Sequence, residues 1–431
     1  MASFNNLPDE IILRIFNYFS QKELQSTLKY VDYRWNRLAE DSSLYREIIA
    51  DEKLHAKEVA FLLQKHAEEI KCVQFIERDD LNELAEYLSH CCNLQSLMIK
   101  LSFGAGDKIV DAIKNCPKLN SIVIQHSSCV RNLPGLFQVI GDLPMKKINI
   151  RNTVDDITTE NLCHLKNVQD LRLKSIKVDT MGIYKFCQNN CANLTTLKLI
   201  TYHENIENFT LDVNETIFAA IGSCRNLNTL CLGHQVMIKM NDEGLQKLHN
   251  LNNLSTLVIH YAERVSADGF VNFFRQPLAK NLKKIGLYKC ACVNSAVIRS
   301  IANMCFKLEK FTYEQSKETR ERKSNIDPFD IITLSRNCNK LRWFHLFGMD
   351  IKIAEVLHLV PTYLPNLESL KYCNDDDPMR IPSFMHGLER KMPDFNVSGL
   401  QWKFSLYVHC RKKDKLEQNT LPDPHVRFQL K

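Results

Sequence analysis

Apolar residues recur along most of this chain in a phrase of the form Leu-x-x-Leu-x-Leu. Its clearest copies are Leu94-Leu97-Ile99, Leu119-Ile122-Ile124, Val168-Leu171-Leu173, Leu194-Leu197-Leu199, Leu227-Leu230-Leu232, Leu254-Leu257-Ile259 and Leu282-Ile285-Leu287. Looser copies begin at Ile70, Met145, Leu308, Leu341 and Leu367. The first positions of these twelve phrases are spaced by 23 to 28 residues, with two intervals of 33. A period in the twenties is the signature of a stacked solenoid. Each unit is too short to bury its own apolar face, so neighbours stack and share one continuous core.

The end of each phrase alternates as a strand does, and the stretch after it carries apolar residues at helical spacing. Asn241 and Ser266 stand at the N-cap of two such stretches, each followed by acids in the first turn, and a third stretch spans Ser295 to Ala302. Each unit therefore reads as a strand followed by a helix. The pattern predicts an α/β horseshoe solenoid with a parallel inner sheet and outer helices.

Composition changes this picture little. The chain has 431 residues, 45% of them hydrophobic and 25% charged, as in soluble proteins generally. Its net charge of +6 is too mild by itself to imply nucleic acid. The first residues lack the basic and apolar regions of a signal peptide, and no apolar run reaches membrane-helix length. Cysteine usage is more informative. Cys91, Cys116, Cys191, Cys224, Cys305 and Cys338 each stand three residues before the first anchor of a phrase. That is one structural role repeated, a small buried filler in a reducing compartment. The close pairs Cys290/Cys292 and Cys187/Cys191 lack matching partners downstream, which argues against zinc. The histidines show no metal-ligand spacing, and the chain carries no phosphate loop, nucleophile elbow or zinc motif. No catalytic residue, metal or cofactor is expected.

The first forty-five residues break the period and read as three short helices. Leu7 to Phe19 is the first, with Pro8 suited to its start and Ile11, Ile12, Ile15, Phe16 and Phe19 in one stripe. A second helix runs near Lys22 to Leu28, and a third contains Trp35, Leu38 and Ala39 and ends near Leu44 and Tyr45. So small a unit is marginal alone, so part of its apolar surface is expected to meet a partner. A helical cap on the first repeat is the alternative, since solenoid ends need capping.

The ordered set Leu7-Pro8, Glu10, Ile15-Phe16, Leu24, Val31, Trp35 and Leu44-Tyr45 resembles an F-box, over residues 4–48. It departs from the family pattern at Asp32-Tyr33 and at Tyr45. The solenoid is placed at 49–373, and over roughly 57–373 its repeats are similar to the cysteine-containing class of leucine-rich repeats, on their leading Cys and their Asp-Glu-Gly-Leu type of helix start. Together these resemblances imply a substrate receptor of an SCF-type cullin ubiquitin ligase, located in the cytoplasm, the nucleus or both. The F-box would dock a Skp-family adaptor, and through it a cullin. The adaptor-binding residues implied are Leu7, Pro8, Ile11, Ile12, Ile15, Phe16, Leu24, Val31, Trp35, Leu38 and Leu44. An F-box protein that acts without ubiquitination, and a repeat scaffold for an anionic partner, are the other readings.

Strand alternation also assigns the surface. Residues flanking the second and third anchors point away from the core. Nine of these positions are basic (Lys100, Lys147, Arg151, Arg172, Lys174, Lys198, Lys284, Lys310, Lys371) and only Asp170 and Glu314 are acidic. Lys147, Arg151, Arg172, Lys174 and Lys198 cluster in the middle, whereas Tyr288, Trp343, His345 and Phe347 stand later. With Lys284, these are the expected substrate-binding residues. They would take a protein target that is acidic or phosphorylated in one part and apolar in another; solubility is the competing explanation of the lysines. The basic repeats lack aromatic residues for base stacking, so nucleic acid is not expected. The 33-residue intervals mark insertions at 201–215 and 314–327, candidates for binding loops. Beyond residue 373 the period fails, and 374–431 reads as a cap with a helix at Ser383–Met392, a strand at Leu400–Val408 and a polar basic tail.

Overall fold

The computed structural model describes residues 7–100, 107–125, 133–151, 157–174, 178–200, 214–233, 240–315, 326–348 and 359–373. The helix and strand expected beyond residue 373, the basic tail and nearly all of both insertions lie outside the described residues. The chain divides into two compact units, residues 1–236 and 237–431.

The first unit opens with helices α1 (Asp9–Phe16), α2 (Gln21–Ser26) and α3 (Tyr33–Ala39). Two acids stand in the first turn of α1 and Arg14 in its last, matching the helix dipole. The helix ends at Phe16 rather than Phe19. The amides of Tyr18 and Phe19 donate three residues back, to Ile15 and Phe16, and tighten the chain into a turn. Ser20 and Glu23 form a capping box on α2. Asp32, a departure from the F-box pattern, is the N-cap of α3, its carboxylate accepting from the Trp35 amide at 2.8 Å. Helix α3 stops at Ala39, and a separate 3-10 turn carries Ser42–Tyr45.

Eight parallel strands follow among the described residues of this unit, stacked in chain order: β1 (Glu47–Ala50), β2 (Cys72–Ile76), β3 (Ser96–Lys100), β4 (Ser121–Gln125), β5 (Lys147–Arg151), β6 (Asp170–Lys174), β7 (Thr196–Ile200) and β8 (Thr229–Leu232). Anchors align with anchors: Ile148 pairs with Leu171 and Leu171 with Leu197, all fully buried or nearly so. Strand β1 comes from the end of the helical segment and pairs Ile48 with Val73, so the ladder begins before the first Leu-x-x-Leu phrase. The second unit repeats the arrangement with β9 (Thr256–His260), β10 (Lys284–Tyr288), β11 (Lys310–Glu314), β12 (Trp343–Phe347) and β13 (Ser369–Cys373). Several strands turn out of the sheet through a left-handed residue, Glu77, Tyr261, Lys289 or Gly348. The amides of the first three donate to the last carbonyl of the following strand.

The repeated cysteines behave as fillers with one exception. Cys91, Cys116, Cys224, Cys305 and Cys338 are buried, and Cys91, Cys116, Cys224 and Cys338 each point Sγ at a carbonyl of the preceding repeat at 3.4–3.9 Å. Cys191 is only half-buried. In its repeat the adjacent Asn190 takes the buried place. Its Nδ2 donates to the Leu165 and Phe186 carbonyls and its Oδ1 accepts from the Val168 amide, all within 2.9 Å. An amide satisfies three backbone groups where a thiol makes weak contacts.

Asn241 and Ser266 cap their helices as the sequence predicts, accepting from the Gly244 and Gly269 amides at 3.0 and 2.9 Å. The structure also explains the glycine of the second helix start. Asp242 accepts from the amide and hydroxyl of Ser266 at 2.7 and 2.6 Å, and its carboxylate lies where a Cβ on Gly269 would stand, 2.1 Å away. Gly269→Ala should therefore lower stability by about 1.5–3 kcal/mol through loss of these charge-assisted bonds. In an Asp242→Ala background the same substitution should cost little. Equal losses in both backgrounds, read from urea midpoints, would refute the coupling.

Candidate docking surfaces

In the F-box-like segment, burial separates the expected contact residues into two sets. Ile12, Phe16, Leu24, Leu38 and Leu44 are buried and form the segment's own core. They hold the helices together, so the sequence reading that places them in a contact face is corrected. Pro8, Ile11 and Val31 are exposed, while Leu7, Ile15 and Trp35 are half-buried, Trp35 packing edge-on against Phe16 at 5.2 Å. Apolar exposure extends further than the sequence reading: Tyr18, Phe19, Tyr30 and Tyr33 are exposed, three of them by 72–90%. Phe19 already stands in the apolar stripe of the first helix; for Tyr18, Tyr30 and Tyr33 the signal the sequence carries is their position off the buried pairs Ile12/Phe16 and Leu24/Leu28.

Charged hydrogen bonds tie this segment together. Asp9 accepts from both Arg34 and Arg37, at 2.5–2.8 Å, and Arg34 also donates to the Leu7 carbonyl at 2.5 Å, tying α1 to α3. It is also fastened to the first repeat, whose helix α4 spans Ala56–Lys65. Tyr45, the second departure from the F-box pattern, is fully buried. Its hydroxyl donates to the Ala39 carbonyl at 2.7 Å and accepts from Gln25 at 2.5 Å, and its ring stacks on His66, just after α4, at 4.1 Å. Gln21 reaches the Glu47 carbonyl at 2.8 Å, and Lys65 pairs with Glu40 at 3.1 Å. The segment thus caps the repeats with one side while its exposed apolar residues stay uncovered. Burial pushes the Tyr45 phenol up to about 12 and lowers the pKa of His66, whose Nε2 is buried with no hydrogen-bond partner.

On the strand face of the first unit, Lys147, Arg151, Arg172, Lys174 and Lys198 all stand half-buried, as alternation predicts. Arg172 donates from Nε and Nη2 to Asp170 at 2.8 and 2.7 Å. Arg151 donates from Nε to the buried Asn149 at 3.2 Å. The aromatic set belongs to the second unit. Tyr288 stacks on His260 at 4.4 Å and folds over Gly286, where a Cβ would stand 2.8 Å from its ring. A glycine inside a strand signals such a close approach; the sequence reading did not use Gly286 or His260. Lys284 is exposed, Trp343 is half-buried beneath Arg342 at 4.8 Å, and Phe347 is half-buried.

His345 departs from expectation. It is 9% exposed, with Nε2 3.1 Å from the Ser369 hydroxyl. Val123, Asn149, Cys231 and Thr312 are likewise buried in the middle of their strands. Strands about 4.8 Å apart crowd this central row, so neighbouring side chains cover one another.

Burial raises the thiols of Cys91, Cys290, Cys292 and Cys338 to about 12 and that of Cys116 to about 11. Among the described residues no group of three or more His, Cys, Asp or Glu is arranged to hold a metal ion, and no helix is long and apolar enough to cross a membrane.

Residues 4–50 match the F-box-like family. No curated protein matches the sequence. Among solved structures, that of the Rad7 and Elc1 complex in yeast aligns with a TM-score of 0.50 at 15% identity, covering 86% of this chain and 91% of that one. An internalin of Listeria monocytogenes aligns at 0.45 and 12% identity, covering 82% and 96%, and a leucine-rich repeat protein of Leptospira interrogans at 0.39 and 13%, covering 86% and 96%. The chain thus carries an F-box-like domain at its N-terminus, followed by a leucine-rich-repeat fold.

The buried His66 makes a measurable prediction. Its pKa is lowered from 6.5, first by burial and then by Lys65, against the opposing Glu69, Glu40 and Asp41. The unfolded chain therefore takes up a proton before the folded one does, and stability falls as pH drops below about 6.5. His66→Phe should keep the stack on Tyr45 and flatten this part of the pH dependence. An unchanged slope of unfolding midpoint against pH would exclude the assignment.

Proposed function

We propose that this protein is the substrate-recognition subunit of an SCF-type ubiquitin ligase. Its F-box-like domain docks a Skp-family adaptor and, through it, a cullin, while the strand faces of the repeats hold the protein to be ubiquitinated. The observation that carries this reading is the uncovered apolar set on a domain whose other side is already bonded to the repeats. Ile11, Tyr18, Phe19, Tyr30, Val31 and Tyr33 are exposed together on 47 residues that match the F-box-like family. Exposed large apolar side chains in such number on so short a domain favour an interaction site, and F-box domains generally bind Skp-like adaptors.

F-box and leucine-rich repeat domains are typically non-catalytic interaction modules. In this reading the chain supplies no chemistry and no cofactor. It contributes proximity and orientation, which convert a bimolecular encounter into a positioned one. The basic face of the first unit and Lys284, Tyr288, Trp343 and Phe347 of the second are the proposed target contacts. Arg and aromatic residues are the types that dominate binding hot spots. The cytoplasm and nucleus are the compartments where such a complex would act.

The buried and exposed sets of the F-box-like domain separate its two roles. Ile11→Arg with Val31→Arg should weaken adaptor binding at least about tenfold while leaving the unfolding midpoint unchanged. Leu24→Ala should lower that midpoint, as buried Leu→Ala changes cost about 2–5 kcal/mol. Affinity capture with the proteasome blocked, comparing the intact chain with the double variant, tests the whole reading. The intact chain should bring down adaptor, cullin and targets that accumulate under the block. Adaptor without cullin would favour an F-box protein that acts without ubiquitination, and capture of neither would overturn the proposal.

A further inference from the structure

In the second unit, the last residues of four strands form a row on the open face. His260, Tyr288, Glu314 and Phe347 stand in register on β9, β10, β11 and β12, each half-buried. One carboxylate is thus flanked by aromatic residues on the strands to either side, each about 4.8 Å away. Tyr288 is braced in place: it stacks on His260 at 4.4 Å with 9° between the planes and lies over Gly286, where a side chain would collide with it. Phe347 meets the His345 ring edge-on at 6.2 Å. Rings held in this way lose little freedom when a ligand packs against them.

Two acceptors stand on the strand between the rings. Among the described residues the Glu314 carboxylate has one ion pair, with Lys289 Nζ at 4.0 Å, outside hydrogen-bond reach. That ammonium donates instead to the Tyr261 hydroxyl at 2.6 Å and lies over the Tyr261 ring at 4.9 Å. A carboxylate has about four acceptor sites, so Glu314 can hold a second cation beside Lys289. Two residues earlier, on the same face and in register between Gly286 and His345, Thr312 is 3% exposed and its Oγ1 has no hydrogen-bond partner. A buried hydroxyl left unpaired is destabilising in a way that a donor-bearing ligand relieves and an apolar one does not. Lys284 and Lys310 stand at the opposite ends of β10 and β11. They are about 13 Å from this row, beyond the screening length of about 8 Å.

We propose that this row is a subsite for an arginine side chain of the target protein. The guanidinium donates to Glu314 and packs between Tyr288 and Phe347. The Tyr288 ring lifts off Gly286 to admit it, and a further N–H reaches Thr312 Oγ1. Arginine fits better than lysine because its planar cation stacks on aromatic faces and carries five donors, whereas an ammonium is compact and strongly hydrated. The inference rests on the reading of the strand faces as the target surface, and gives the second unit's part of that surface its chemistry.

The test uses the full chain copurified with its adaptor, with 4-fluorophenylalanine at position 347 as a fluorine NMR probe. N-acetyl-arginine methylamide is titrated to high millimolar concentration, beside its citrulline, lysine and leucine counterparts at matched ionic strength. The arginine compound should shift the signal saturably and bind at least about tenfold tighter than citrulline, its neutral isostere, the size expected for charge-assisted hydrogen bonds. Glu314→Gln should remove that difference and leave adaptor copurification intact. Thr312→Val should raise the unfolding midpoint, since it removes the unpaired hydroxyl, and still weaken arginine binding severalfold. Equal binding of arginine and citrulline, tighter binding of lysine or leucine, no saturable shift, or an unchanged arginine preference in Glu314→Gln would each overturn the proposal, as would unchanged arginine binding in Thr312→Val. Failure of the adaptor to copurify would instead count against the ligase reading, and titration of the chain alone would still score the subsite.

Discussion

Everything in this molecule depends on one constraint: a strand-and-helix unit of about 26 residues cannot bury its own apolar pair, so the next strand must cover it. Parallel pairing satisfies this only when anchors align with anchors, as Ile148, Leu171 and Leu197 do. A slip of one residue would turn the buried pair outward. The register that closes the core therefore also fixes which side chains share a row on the open face. The like-charge neighbours Arg172/Lys198 and Arg151/Lys174 are a consequence of that register, not of any local preference.

The same constraint explains the N-terminal domain. The first repeat has no predecessor, so its open end must be closed by something that is not a repeat. The F-box-like segment closes it by contributing β1 and by placing Tyr45 against His66. Because that side is engaged, the apolar residues on the remaining surface cannot serve the solenoid. Capping is thus a role this domain already performs, and its exposed apolar residues stand apart from the contacts that perform it. The departures from the family pattern support that role: Asp32 caps α3, and Tyr45 adds hydroxyl bonds and a ring stack where the repeats begin.

Where the sequence reading and the structure part, the cause is a neighbour distant in sequence. Alternation labels His345 and Phe347 alike, yet crowding across strands buries the former. The apolar stripe of α1 does not distinguish Ile11 from Ile12, because one faces the domain interior and the other does not. Spacing assigns Cys191 the filler role of its counterparts, but Asn190 reaches three backbone groups from the adjacent position and takes the place. Conversely, the strand positions, the helix caps at Asn241 and Ser266 and the basic row members were all legible, since period and capping chemistry act within a few residues.

The sequence by itself determined the repeat, the strand-then-helix order, the buried anchors and the basic bias of the open face. Each of these follows from side-chain periodicity or from local backbone chemistry. Only the tertiary structure decided which F-box residues are core and which are surface, and which central strand positions are covered. These depend on distances between units some 25 residues apart, and pairwise burial of that kind has no local signature along the chain.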